Sequence, residues 1–163
     1  MSGFSRRLFI ASGVAAFAAP TSAFARASEI FMDNGGVFSD AWTYAVGGHD
    51  VVAYHSLVPD AAPVPGDDAL EAKYKGVSWI FSSQENLDAF QSDPDRYRPQ
   101  YGGYCAWAMA RNKLAKGDPT VWHIRDGKLY LNVSLRIKRQ WLKNIERDIA
   151  RANANWPGIL DRN

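Results

Sequence analysis

The chain of 163 residues contains one cysteine, Cys105, so no internal disulfide can form. It has no Cys-x-x-Cys pair, no Gly-x-Ser-x-Gly string and no His-Glu-x-x-His string. Those absences remove the compact signatures of dithiol exchange, serine hydrolysis and zinc-dependent hydrolysis, and point to binding rather than catalysis. Soft and borderline metal ligands are scarce, with three histidines and three methionines. An excess of charge is missing too. The formal net charge is +2, and Arg6 and Arg7 account for it, since no acid lies in the first 25 residues. From residue 26 onward, 17 basic residues face 17 acidic ones. That balance argues against nucleic acid as a partner, because phosphate binding needs a basic surface. What is present is a globular composition, 47% apolar and 22% charged, with six tryptophans and seven tyrosines for an aromatic core or a lined pocket.

The N-terminal segment reads as an address. Ser5-Arg6-Arg7-Leu8-Phe9-Ile10 resembles a twin-arginine export signal. The apolar run after it is too short to span a bilayer as a mature helix. Ala23-Phe24-Ala25 forms an A-x-A cleavage site, so the mature chain is expected to begin at Arg26, in the periplasm, with no stable membrane span. The twin-arginine translocation machinery is the one partner this segment implies. Export of an already folded protein also favours a cofactor acquired before transport.

Beyond it, residues 26–47 read as an arm laid over the domain, with a turn at Asn34-Gly35-Gly36. Residues 48–55 suggest a short extended segment between His49 and His55. Held fully extended, the two imidazoles would be about 20 Å apart, too far to share a metal. A Pro-rich loop follows. Residues 70–74 and 77–81, joined at Lys75-Gly76, read as a β-hairpin, and Ser82 or Ser83 can cap a helix that stops before Asp93-Pro94. Residues 104–117 read as a helix ended by Gly117. Residues 120–125 and 128–132, around Asp126-Gly127, give a second hairpin. In its first strand Val121, His123 and Arg125 share the face opposite Trp122 and Ile124. Ser134 can cap a long C-terminal helix, residues 135 to about 154. Its core stripe is Trp141, Ile145, Ile149 and Ala152, and its solvated side carries Lys138 and Asp148. The expected fold is α+β, two β-hairpins packed with helices.

Tyr74, Gly76, Trp79, Phe81, Phe90, Asp93, Pro94 and Tyr97 resemble the YHS domain, whose core motif would span residues 74–97 of a domain covering residues 26–163. Gly48-x-Asp50-x-Val52-Ala53-Tyr54, the string from Tyr101 to Ala106 (YGGYCA), and Gly127-Lys128-Leu129-Tyr130-Leu131-Asn132 resemble an exported bacterial branch of that family. Many YHS domains carry metal-binding cysteines in a Phe-Cys-Ser-x-x-Cys string. Here Ser82 and Asn86 stand in the two cysteine positions, and neither is a good ligand for a soft metal.

Three classes of function remain open. Cys105 and Met109, four apart on the expected helix, with His123 and His49, form a donor set that copper or another transition metal accepts. Tyr101, Gly102, Gly103, Tyr104 and Trp107 could instead line a pocket for a small molecule or a partner protein without any metal; the glycine pair permits close backbone approach. Cys105 at a helix start could also act as a redox-active thiol, or simply be a small buried apolar residue.

Overall fold

A computed structural model describes residues 26–36 and 39–162. The expected export signal, with Arg6, Arg7, Ala23 and Ala25, lies outside the described residues. The described chain is α+β, as its pattern suggests. Asn34–Gly36 (β1) pairs antiparallel with Ser39–Ala41 (β2). The two hairpins anticipated from sequence follow: Asp67–Tyr74 (β3) with Val77–Phe81 (β4), and Asp118–Arg125 (β5) with Lys128–Asn132 (β6). Both turn on a residue pair with positive φ, Lys75-Gly76 and Asp126-Gly127, the geometry that matches the twist of the strands they join. Between the hairpins lie Gln84–Ser92 (α1) and Pro94–Tyr97 (α2). Ser83 caps α1 by accepting the Asn86 N–H, and the side chain of Asp93 caps α2 by accepting that of Arg96.

Strand β6 is the wall between two cores. Leu129 and Leu131 face the first, with Trp79, Phe81, Phe90, Tyr54 and Trp122. Tyr130 faces the second, with Tyr101, Tyr104, Met109, Trp141, Ala152, Ile159 and Leu160. The alternation follows from the two-residue period of a strand. The arm is part of these cores: Ile30 is 1% exposed, Ala27 N–H donates to Leu160 O, and Phe31 N–H donates to Gly102 O.

In three places the structure departs from the local pattern. Of the helix expected over residues 104–117, only Ala106–Met109 (α3) is helical. Cys105 is extended instead, its N–H donating to Ala115 O, and Asn112 takes a positive φ that folds the chain back. Alanine's helix preference is small beside such pairings. The segment after His49 is not extended either. Asp50 Oδ1 accepts the N–H groups of Val52 and Ala53, which curls it into a 3-10 turn, Ala53–Ser56. The C-terminal helix is two, Leu135–Leu142 (α4) and Ile145–Asn155 (α5), broken at Asn144 (φ −141°, ψ 37°). Its core stripe is as expected at Trp141 and Ala152, but Lys138 and Asp148 are buried, at 7% and 1% exposure, rather than solvated. Asp148 is held there by Arg111 and Arg147, each at 3.0 Å.

Candidate functional site

Asp50 organises the region that carries the site. Its carboxylate is fully buried. Besides the two N–H groups on Oδ1, Oδ2 accepts from Ser82 N–H at 2.8 Å, Ser82 Oγ at 2.6 Å and Asn86 Nδ2 at 2.7 Å. Ser82 and Asn86 are thus committed to a carboxylate. A hydroxyl and an amide can both donate to Asp50, whereas a pair of thiolates at these positions would present only acceptors to it. The donor set does not fit a soft metal at this junction.

With Asp50 fixed, the 3-10 turn after it presents Tyr54 and His55. Tyr54 is buried, donates its hydroxyl to Pro119 O at 2.9 Å and packs edge-on against Trp122 of β5. Burial pushes its phenol well above the ordinary range, so it remains a donor. Trp122 donates Nε1–H to Ala61 O at 2.9 Å, which ties the following loop to β5. His123, next along β5, is half-buried and stands edge-on to Trp141 of α4. Lys138, also on α4, reaches Asp60 of the loop at 2.5 Å.

These residues enclose a groove of about 340 Å³ lined by Tyr54, His55, Leu57, Trp122, His123 and Lys138, among others. A second hollow of about 410 Å³ shares Asp60, Lys138 and Leu142 with it. Both volumes lie in the range of small-molecule sites. Desolvation holds the imidazoles of His55 and His123 below the usual histidine value, and the nearby cations Arg96 (for His55) and Lys138 and Arg125 (for His123) add to it. Both are therefore neutral at neutral pH. The buried Nε2 of His55 has no hydrogen-bond partner. The carboxyl of Asp60 is held below its ordinary range, first by the hydrogen bond from Lys138. The arrangement is an apolar slot with neutral imidazoles and one lysine whose side chain is nearly buried, suited to binding and orienting a ligand.

The residues singled out from sequence lie elsewhere, His123 excepted. Cys105 is fully buried against Ala108 and Ile137, its thiol 3.7 Å from Asn132 Oδ1. Burial raises its pKa, against the opposing pull of the Ala108, Val133 and Trp107 amides. Met109 belongs to the second core, and His49 donates Nδ1–H to Val46 O. Among the described residues no group of three or more His, Cys, Asp or Glu side chains is placed to hold a metal ion. Tyr101, Gly102, Gly103 and Tyr104 are buried, and Trp107 is partly so. A Cβ on Gly102 would lie 1.7 Å from Glu29 O. The close approach for which this glycine is needed is that of the protein's own arm. Tyr101 donates its hydroxyl to Asn153 and Tyr104 to Ser28 O, both at 2.9 Å.

Sequence reasoning missed Trp122, Asp60 and Lys138 as a group. Lys138 sits at a helical position that reads as surface, and Asp60 lies in a loop with no motif. The packing of α4 beside β5, with the loop tied to both through Trp122 and Lys138, brings them together.

The family model for the YHS domain matches residues 60–101. No curated protein and no solved structure matches the chain. The match runs from the Asp60 loop through β3, β4, α1 and α2, and most of the groove, including Trp122, His123 and Lys138, lies outside it.

Proposed function

We propose that this chain, which carries a YHS domain at residues 60–101, is an exported accessory protein that binds a small ligand in the groove between the 53–60 turn, β5 and α4. The observation that carries this reading is the groove itself: a small-molecule-sized slot lined by the nearly buried Lys138 side chain and two neutral imidazoles beside Trp122. A well-formed pocket with a few convergent polar groups is where a ligand site is expected first. Export is supported by the twin-arginine string and the A-x-A site.

Copper or other transition-metal handling through Cys105, Met109, His123 and His49 is the competing reading. A fully buried thiol whose pKa is raised is a poor source of thiolate. The same condition weighs against a thiol-dependent redox role.

Affinity selection of small molecules from a periplasmic extract, analysed by mass spectrometry, tests the proposal. Wild-type protein should retain compounds that Leu142→Trp, which fills the groove from its partly exposed wall, releases. Equal retention by both proteins would contradict it. Elemental analysis of the same preparations decides the competitor: near-stoichiometric metal, lost in Cys105→Ser, would move the function to Cys105.

A further inference from the structure

We propose that the ligand of this groove is a small organic anion, a carboxylate on an apolar body, and that Asp60 occupies the acid's place on Lys138 until the ligand displaces it. This rests on the groove being the ligand site and narrows it to a chemical class.

The two partners of the Lys138–Asp60 pair are unequally placed. The Lys138 side chain is 8% exposed, whereas that of Asp60 is 72% exposed. With its side chain nearly buried, Lys138 needs an anion for its ammonium. A carboxylate that remains in water is a weak one, because solvent screens the pair and Asp60 loses little by leaving. A carboxylate on an apolar ligand would approach the same Nζ from inside the groove. Its body would cover Trp122, Leu57, Ile124 and Leu142 and exclude water from the new pair, which strengthens it.

The charges around the two hollows point the same way. Lys138 and Arg139 are the cations in their lining, and Asp60 is the one acid. With Asp60 displaced, the lining is cationic, which favours an anion and opposes a metal ion or an amine. Asp60 is also suited to move. It lies in an exposed loop at φ 63°, a conformation aspartate tolerates better than most residues. The loop is anchored just beyond it, where Ala61 O accepts from Trp122. Displacing the Asp60 side chain therefore need not disturb the groove wall.

The test is a titration of the purified protein with octanoate and benzoate, each beside its neutral amide, octanamide and benzamide. Chemical shifts of the Trp122 indole and of the Leu57, Ile124 and Leu142 methyl groups report binding. The carboxylates should bind about tenfold or more tighter than the amides, as expected for a charge-assisted contact. Asp60→Asn, at an exposed position, should tighten carboxylate binding roughly two- to fivefold. Lys138→Met should erase the preference for acid over amide. Equal binding of acid and amide in the groove would overturn the anion assignment and leave the ligand site standing. Weaker carboxylate binding in Asp60→Asn would overturn the displacement. No shift of any groove group with any of the four probes would overturn both the assignment and the site.

Discussion

Asp50 accepts five hydrogen bonds and is fully buried. It joins the turn that carries Tyr54 and His55 to the β4–α1 junction, so the groove's geometry depends on it. Asp50→Ala would leave those donors without an acceptor and should cost roughly 3 kcal/mol, measured by denaturant unfolding. Ser82→Ala removes one donor and should cost about 1 kcal/mol. Gly102 is the second residue with a single solution. It takes φ +64° and has Glu29 O where a Cβ would lie. Gly102→Ala should therefore cost roughly 2–4 kcal/mol and loosen the arm, seen as faster amide exchange at Phe31, whose N–H donates to Gly102 O. The glycine pair was conspicuous in the sequence, and so was the close approach it allows. What approaches was not legible, since Glu29 is more than 70 residues away along the chain.

Elements with strong local chemistry were readable. The Lys75-Gly76 and Asp126-Gly127 turns, the Ser83 and Ser134 caps and the end of α1 before Asp93-Pro94 all stand where their residue types place them. Elements whose form is settled by distant partners were not. An alanine-rich run gave way to a short α3 because Tyr104 and Cys105 pair with Lys116 and Leu131. Lys138 left the solvated side because α4 lies beside β5 and Asp60 offers a counter-charge. For the same reason the candidate site was legible only at His123, while its neighbours come from separate elements. The arm is the element whose contribution is easiest to measure. Ile30→Ala removes a side chain that is 1% exposed in the first core and should cost roughly 2–5 kcal/mol. A cost below 1 kcal/mol would mean that the arm merely rests on the domain.

At the scale of the whole molecule, charge balance leaves few long-range fields, and pH acts through buried groups. His55 and His123 have folded-state values below the unfolded value of 6.5, chiefly from desolvation. The folded protein thus binds fewer protons than the unfolded chain once pH drops below that value. Their full contribution to stability is present above pH 6.5 and is lost as pH falls through the depressed folded values. Thermal unfolding should show a lower midpoint at pH 5 than at pH 7.5, and His55→Gln with His123→Gln should flatten that slope. An unchanged slope in the double variant would assign the pH response to other groups.

The central claim is that the ligand enters the groove and not the Cys105 region. Methyl-resolved NMR of the protein with and without a periplasmic small-molecule extract tests it directly, because the two places have separate reporters. The account predicts shifts at Leu57, Ile124 and Leu142, with Met109 and Ala108 unmoved. Shifts at Met109 and Ala108 with a silent groove would contradict it and return the function to the thiol.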